Sequence, residues 1–258
     1  MSVKKLFDLS GRSAIVTGGS RGLGLQIAEA LGEMGAALAL TARKKDELDH
    51  AVAHLAKSGI KAHAYACDMG KRDGIPAVFD QMLAKLGRVD ILVNNAGATW
   101  GAPAEDHPLE AWDKLVNLNL IGNFVMAQQA ARKAMIPAKW GRILNVASVA
   151  GLYASDPAVV RTVSYNATKH GVVGMTKQLA AEWGEHGITV NAICPGFFPS
   201  KMTHATLDAM GETLRNATPT RRLGGPEDLK GLAVLLASDA SRHITGQAIA
   251  VDGGAMLI

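Results

Sequence analysis

A tyrosine and a lysine stand four residues apart in the run YNATK at 165–169. On a helix this spacing places the two side chains on one face, about 6 Å apart. A free phenol has a pKa near ~10, and a neighbouring ammonium group favours its ionised form. Tyr165 and Lys169 could therefore move a proton at neutral pH. The same spacing also suits a half-buried tyrosine beside a solvated lysine.

Further polar residues stand where apolar runs end. NNAG at 94–97 follows Val93, Ser148 follows the run 141–147, and NLNL at 117–120 precedes a helical segment. If the two apolar runs are parallel strands, their carboxyl ends meet at one edge of the sheet, where ligands of such sheets bind. These residues are therefore candidates for one site with Tyr165 and Lys169.

Three glycines follow the first apolar run, 13–17, with the spacing Gly18, Gly22 and Gly24. Glycine lets the backbone turn sharply and approach a pyrophosphate, and the first amides of the following helix then hold the anion. A strand, a glycine-rich loop and a helix in this order predict a dinucleotide site. A tight turn without a ligand is the alternative.

The residues after the second strand bear on the choice of dinucleotide. An NAD site typically has an acidic residue there, which accepts a hydrogen bond from the ribose 2′-hydroxyl. Here the strand ends in Thr41-Ala42-Arg43, and Asp46 falls in the next helix. Arg43 and Arg21 could instead clamp a 2′-phosphate through charged, fork-shaped donors. We therefore expect NADP(H) to be favoured over NAD(H), with a solvated Arg43 as the alternative.

The elements that must position these residues are apolar runs of strand length alternating with helical segments. We predict strands at 13–17, 36–41, 62–67, 89–94, 141–147, 189–193 and 247–251. We predict helices at about 22–34, 44–58, 72–86, 108–136, 164–184 and 226–238. Strands that are apolar throughout, alternating with helices, are typical of a parallel sheet buried on both faces. We expect a single α/β domain over residues 1–258, a Rossmann-type doubly wound sheet of about seven strands with helices on both faces. An eight-stranded barrel is the alternative.

Composition narrows the function classes. The chain has 258 residues, of which 48% are hydrophobic and 19% charged, so it can bury a large core and is not disordered. Its two cysteines, Cys67 and Cys194, exclude a disulfide scaffold. The net charge of +4 comes without a dense basic patch, so we expect no nucleic-acid partner. No apolar run reaches the ~18 residues of a membrane span, and we expect a cytoplasmic protein without a metal site.

Taken together, the chain resembles the short-chain dehydrogenase/reductase family. The matching segments are TGGSRGLG at 17–24, NNAG at 94–97, Asn119, Ser148, YNATK at 165–169, CPG at 194–196 and ITGQAIAVDGG at 244–254. Runs such as NNAGATWGAPAEDHP and CPGFFPSKMT are similar to the gluconate 5-dehydrogenase-like branch. The resemblance covers nearly the whole chain.

The resemblance implies reversible hydride transfer between a nicotinamide cofactor and a secondary alcohol or ketone. Tyr165 would be the general acid/base, Ser148 would donate a hydrogen bond to the substrate oxygen, and Asn119 would hold a water near Lys169. Lys169 would lower the pKa of Tyr165 and bind the nicotinamide ribose. The cofactor contacts would be Gly18, Ser20, Arg21, Gly22, Leu23, Gly24, Arg43, Asp68, Asn95, Ala96, Gly97, Tyr165, Lys169, Pro195, Gly196 and Phe198. Asp68 could equally be a cap at a strand end.

The chain departs from the family in the long stretch 152–164 between Ser148 and Tyr165, which we expect to contact substrate. Besides Ser148 and Tyr165, the candidate substrate residues are Trp100, Tyr153, Arg161, Phe197, Lys201 and His204. Arg161 and Lys201 would suit the carboxylate of a sugar acid, or they could be solvated loop charges.

The sequence therefore predicts an NADP(H)-dependent oxidoreductase acting on a small molecule, a sugar acid of the gluconate/5-ketogluconate type or a similar polyol. A 3-oxoacyl thioester (acyl carrier protein) reductase is the alternative among enzymes, and the aromatic residues would suit such a fattier substrate. A non-catalytic nucleotide-sensing protein is the alternative of another class. The family likeness also implies a homotetramer, built on the small residues Ala167, Gly171 and Gly174.

Overall fold

The computed structural model describes residues 2–257 and shows one parallel sheet flanked by helices. Its strands are β1 (Ser13–Thr17), β2 (Ala37–Ala42), β3 (Ala62–Ala66), β4 (Ile91–Asn94), β5 (Gly141–Val146), β6 (Ile188–Pro195) and β7 (Ala248–Val251). Its α-helices are α1 (Val3–Leu6), α2 (Gly22–Glu33), α3 (Lys45–Lys57), α4 (Ile75–Leu86), α5 (Leu109–Leu115), α6 (Gly122–Ala130), α7 (Ile136–Ala138), α8 (Val163–Trp183), α9 (His204–Ala217) and α10 (Lys230–Ala237).

Helices cover both faces of the sheet, because successive residues of a strand point to opposite sides. In β1, Ala14 and Val16 belong to the core that α2, α3 and α10 complete. Ile15, between them, belongs to the other core, which α4, α6 and α8 complete. The apolar strand runs therefore reflect burial on both faces, and the predicted doubly wound sheet is confirmed.

The strand order is β3-β2-β1-β4-β5-β6-β7, and every neighbouring pair is parallel. The chain runs outward from β1 to β3 and then returns to place β4 on the other side of β1. Ligands of open parallel sheets bind at such a reversal, outside the carboxyl ends of the strands. The loops after β1 and β4 meet at this point.

All seven predicted strands are present, and every strand end lies within two residues of the prediction. The predicted helix 108–136 begins as α5 and ends as α7, but it contains two π-helical stretches, Val116–Ile121 and Ala131–Met135. The prediction missed α1 and α9. Helix α9 buries none of its residues fully, so its apolar signal is weak. The spacing of Leu207, Met210 and Leu214, which are half-buried, could have indicated it.

Candidate active site

A cleft of about 800 Å³ opens at the carboxyl edge of the sheet, within the usual size range of ligand sites. It runs from the glycine-rich loop, past the end of β4, to the segment after β6. The predicted residues that line it are Gly18, Ser20, Arg21, Gly22, Leu23, Arg43, Asp68, Asn95, Ala96, Gly97, Ser148, Tyr165, Lys169, Pro195, Gly196, Phe198 and Lys201.

The glycine-rich loop is fastened to the end of β4 by the side chain of Asn95. Its amide nitrogen donates to the carbonyl oxygens of Thr17 at 3.0 Å and Gly18 at 3.1 Å. Gly18 has a φ of +64°, and a Cβ there would lie 2.8 Å from the Asn95 amide nitrogen. A Cβ on Gly24 would lie 2.4 Å from the Gly18 carbonyl oxygen, so Gly24 packs behind the loop. Gly24 was predicted to contact the cofactor, but it does not line the cleft.

The same loop leaves room for an anion. Gly22, the first residue of α2, has a φ of +55°, and a Cβ there would meet no atom of residues 2–257 within 4 Å. Arg21, which precedes the helix, has an extended backbone (φ −167°). Because the first amides of a helix have no partner within the helix, they bind phosphate groups well. The residues present therefore fit the pyrophosphate of a dinucleotide.

Three cations line the end of the cleft beside this loop: Arg21, Arg43 and Lys44. Arg21 is ion-paired to Glu47 at 2.7 Å, and the Lys44 ammonium lies 3.5 Å from the same carboxylate. The sequence did not predict Lys44 and Glu47, because both residues lie beyond the strand end, where a ribose-binding side chain is expected. We call the set Arg21, Arg43, Lys44 and Glu47 the charged rim.

Tyr165, Lys169 and Ser148 come together at the middle of the cleft. Tyr165 and Lys169 lie in the first two turns of α8, with the Lys169 nitrogen 5.6 Å from the centroid of the tyrosine ring. The Lys169 side chain is buried and donates to the carbonyl oxygen of Val146 at 2.7 Å. Ser148 follows β5, and its hydroxyl accepts a hydrogen bond from the amide of Ala150 at 3.1 Å.

Burial governs the protonation of this group. Burial raises the pKa of the Tyr165 phenol, and the neighbouring Ser148 side chain lowers it in part. The sequence predicted a pKa lowered by Lys169. The structure gives the opposite direction, because desolvation has the largest effect on the phenol. Burial also lowers the pKa of Lys169 to about 8 and raises that of the adjacent Cys194 thiol to about 11. Tyr165 is therefore protonated at neutral pH in this state of the protein.

Asn119 lies in the first π-helical stretch, fully buried behind the cleft wall. Its side chain accepts from the amide of Ala98 at 2.9 Å and donates to the carbonyl of Ala98 at 3.0 Å and the hydroxyl of Thr168 at 3.1 Å. Its own carbonyl oxygen accepts from Asn123 at 2.7 Å. These contacts join the loop after β4 to α8 at Thr168, the residue before Lys169. The predicted water at this residue stays a prediction.

Asp68 lines the cleft, and one carboxylate oxygen accepts the amide of Gly70 at 3.0 Å. This hydrogen bond is the capping role that the sequence left open as the alternative to an adenine contact. On the far side, Gly196 donates to the carbonyl oxygen of Val251 at 3.0 Å and packs on Asp252. The segment after β6 is thereby held against β7 at the cleft edge.

Of the six added substrate candidates, the structure brings only Lys201 to the cleft. Trp100 and Tyr153 are 45% and 37% exposed, and the Arg161 side chain turns toward the carbonyl oxygen of Pro157 at 3.4 Å. His204 begins α9 and pairs with Asp208 at 2.6 Å. Phe197 faces a smaller recess beside Thr218 and Asp252. The other five residues surround the cleft and do not line it.

Several cleft residues were not predicted. They come from the segment after β6, the loop after β4 and the long helix 109–138, and include Thr99, Lys114, Leu118, Pro199, Ser200, Met202 and Thr203. Lys114 carries no such signal, since a spacing of five residues from Asn119 does not place two side chains on one face of a helix. Residues 99–103, 152–162 and 197–204 border the open side of the cleft, and we call them the substrate half, after the substrate contacts that the sequence predicts there. The loops 18–24 and 95–97 with the charged rim form the cofactor half.

Within residues 2–257, no helix is both long and apolar enough for a membrane crossing. In the same described range, no group of three or more His, Cys, Asp and Glu side chains is arranged to hold a metal ion.

Comparison with known proteins shows the family to which the chain belongs. Residues 18–256 match the family model described as enoyl-(acyl carrier protein) reductase. The chain is 39% identical to the D-threitol dehydrogenase of Mycolicibacterium smegmatis, over 98% of this chain and 96% of that one. It is also 39% identical to the gluconate 5-dehydrogenase of Gluconobacter oxydans, over 98% of each. A 3-oxoacyl-[acyl-carrier-protein] reductase of Aquifex aeolicus is 34% identical, over 95% of this chain and 98% of that one.

A solved structure agrees in fold over its whole length. The gluconate 5-dehydrogenase of Burkholderia cenocepacia J2315, in complex with NADP and tartrate, superposes with a TM-score of 0.93. The two chains are 35% identical, and the match covers 100% of each. The chain belongs to the short-chain dehydrogenase/reductase family, and it is an oxidoreductase acting on a CH–OH group.

Proposed function

We propose that the protein is an NADP(H)-dependent oxidoreductase that interconverts a secondary alcohol and a ketone on a sugar acid or similar polyol. One observation carries the proposal: Tyr165, Lys169 and Ser148 line the middle of the cleft whose end is formed by the glycine-rich loop and three cations. This arrangement separates a group that moves a proton from a group that binds phosphates, as a dehydrogenase requires.

The cofactor would lie along the cofactor half. The amides at the start of α2 would hold the pyrophosphate, and Lys169 would hold the nicotinamide ribose. When bound, the nicotinamide supplies or accepts the hydride. The charged rim supports NADP(H) over NAD(H), since Arg21, Arg43 and Lys44 offer donors suited to a 2′-phosphate. The relative from Burkholderia cenocepacia was solved with NADP.

Tyr165 would give its proton to the ketone oxygen during reduction and take it back during oxidation. Its raised pKa keeps the phenol protonated at neutral pH, which suits reduction. Ser148 would donate a hydrogen bond to the same oxygen as negative charge develops there. Because the donor is fixed in position, it stabilises the transition state more than the ground state.

The substrate assignment rests on Lys201 and on the relatives. Lys201 lines the cleft, and its ammonium would suit the carboxylate of a sugar acid. The relatives named above include a gluconate 5-dehydrogenase and a dehydrogenase of the neutral polyol D-threitol. The predicted carboxylate contact at Arg161 has less support, because that side chain turns away toward Pro157.

A second candidate is a 3-oxoacyl thioester reductase. The apolar side chain of Met202 lines the cleft and is 43% exposed, which would suit an acyl chain. The Aquifex aeolicus relative supports this candidate as well. A non-catalytic nucleotide-sensing protein has less support, because Asn119, Ser148, Tyr165 and Lys169 are all present and positioned.

A substrate panel tests the proposal. The purified protein is supplied with NADPH or NADH and with 5-ketogluconate, a neutral keto-polyol or acetoacetyl thioester, and cofactor oxidation is followed by absorbance. We expect the highest kcat/KM with NADPH and 5-ketogluconate or the keto-polyol. Preference for the thioester would establish the second candidate. Cofactor binding without turnover of any substrate would support the nucleotide-sensing class.

We also propose a homotetramer that uses α8. Ala167 and Gly174 are exposed on this helix, and a Cβ on Gly174 would meet no atom of residues 2–257 within 4 Å. Gly171, also predicted for this surface, instead packs on Leu120 of its own chain. Light scattering coupled to gel filtration would measure the mass, and a stable monomer would contradict the proposal.

A further inference from the structure

Glu47 lies where two cleft segments meet. It stands in the first turn of α3, and its carboxylate reaches across to Arg21 in the glycine-rich loop, with the two groups 2.7 Å apart. Lys44, immediately before the helix, approaches the same carboxylate at 3.5 Å. Glu47, Arg21 and Lys44 all line the cleft beside Arg43. An acidic group therefore stands among the cations that would read a 2′-phosphate.

Glu47 lies at a favourable place for an acidic side chain. The amino end of α3 carries partial positive charge, which favours an anion in its first turn. The Glu47 side chain is only 25% exposed, whereas those of Arg21 and Lys44 are 50% and 64% exposed. The carboxylate is thus the more enclosed partner, and the two cations are the more exposed ones.

We propose that Glu47 limits the preference of this protein for NADP(H) by occupying Arg21 and Lys44 as an internal counter-anion. The inference rests on the proposed function and goes beyond it. It states that Glu47 repels the 2′-phosphate and thereby reduces the preference for NADP(H) over NAD(H). A 2′-phosphate carries about 1.5 to 2 negative charges at pH 7. To bind it, the protein must release Arg21 from Glu47 and place the phosphate near a like charge. NAD(H) has an uncharged 2′-hydroxyl, so its binding requires neither the release of Arg21 nor the approach of two negative charges.

The test measures binding rather than turnover. Dissociation constants of NADPH and NADH are determined by isothermal titration calorimetry for the parent and for Glu47→Gln, which keeps the size of the side chain. We expect the Kd of NADPH to fall about three- to tenfold at low salt, and that of NADH to stay within about twofold. The gain with NADPH should shrink as salt rises, because the charges at the rim are partly exposed.

Asp46→Asn is the matched control. Asp46 is the neighbouring acid in the same helical turn and is exposed, and it does not line the cleft that the structure describes within residues 2–257. The substitution removes the same charge, so an equal gain there would show a general charge effect and overturn the role of Glu47. In an Arg21→Ala background the effect of Glu47→Gln should become smaller, because the two residues act through each other.

The outcomes separate this inference from the proposed function. An unchanged or higher Kd for NADPH in Glu47→Gln, or an equal gain for NADH, would overturn the role of Glu47 and leave the proposed function intact. Failure of the parent protein to bind either cofactor would overturn both. Circular dichroism melting of each variant identifies a folding defect, and Glu47→Ala then serves as the second variant, with the same expected gain.

Discussion

The two halves of the cleft are built from different parts of the chain. The cofactor half stands on buried strand ends: the fully buried hydroxyl of Thr17 accepts the amides of Asn95 and Ala96, each at 3.0 Å. The substrate half stands on loops and on the start of α9, and Trp100, Tyr153 and Met202 there are 37–45% exposed. Because exposed loops tolerate change better than buried strand ends, we expect the choice of substrate to depend on the substrate half.

Among the variants that test the two halves, we expect the largest loss of activity at Ser148, which lies between them. Ser148→Ala removes the hydrogen-bond donor to the substrate oxygen, so kcat should fall by about 10²–10³ with the fold intact. Steady-state kinetics with the preferred ketone would measure it. Ser58→Ala, at an exposed residue after α3, serves as the control. A near-normal kcat with only a raised KM would assign Ser148 to substrate binding instead.

The next effect tests the cofactor half. Arg43→Ala removes a charged donor for the 2′-phosphate, so the ratio of kcat/KM with NADPH to that with NADH should fall about ten- to hundredfold. The loss should be smaller at high salt, because Arg43 is exposed.

Lys45→Ala is the control for this variant, since Lys45 is ion-paired to Asp49 at 2.6 Å on α3 and carries the same charge. An unchanged cofactor ratio in Arg43→Ala would show that this residue does not read the 2′-phosphate.

The direction of the reaction should depend on pH, because burial raises the pKa of Tyr165. Alcohol oxidation needs the deprotonated phenol, so its kcat/KM should rise by up to about tenfold per pH unit below that pKa. Ketone reduction needs the protonated phenol and should fall only at high pH. Rates from pH 6 to about 10 in both directions would show this. Parallel pH profiles for the two directions would contradict the assignment.

The smallest effect is expected in the substrate half. Lys201→Gln should weaken sugar-acid binding about three- to tenfold and leave a neutral keto-polyol nearly unaffected, as loss of one partly exposed charge contact predicts. Values of KM for the two substrates would be compared. Arg161→Gln, whose side chain turns toward Pro157, should have less effect. Equal losses on both substrates would exclude a carboxylate contact at Lys201.

The two halves also differ in how far the sequence could predict them. The strands are apolar because both faces of the sheet are buried. Glycines follow β1 because the backbone there packs closely against Asn95. Both features can be recognised within a short stretch of the sequence. The pair of Arg21 and Glu47 joins residues 26 positions apart, and spacing along the chain gives no sign of it. Helix α9 buries no residue fully, so its periodic pattern is weak. The orientation of Arg161 leaves no pattern in the sequence at all.

The pKa of Tyr165 is a second property of the site that the sequence could not predict. Its position four residues before Lys169 correctly placed both groups at one site. The direction of the shift was wrong, because the sequence shows the neighbouring charge but not the depth of burial that opposes it.

The most direct test of the account is made on Tyr165→Phe, with cofactor binding and turnover measured on the same preparation. The substitution keeps the ring and removes the acidic proton. Tyr65→Phe, in strand β3, is the control. We predict that NADPH binds Tyr165→Phe with a Kd close to that of the parent, and that turnover of the preferred ketone falls by at least ~10²–10⁴. Turnover near the parental rate in Tyr165→Phe would contradict the central claim that this phenol transfers the proton.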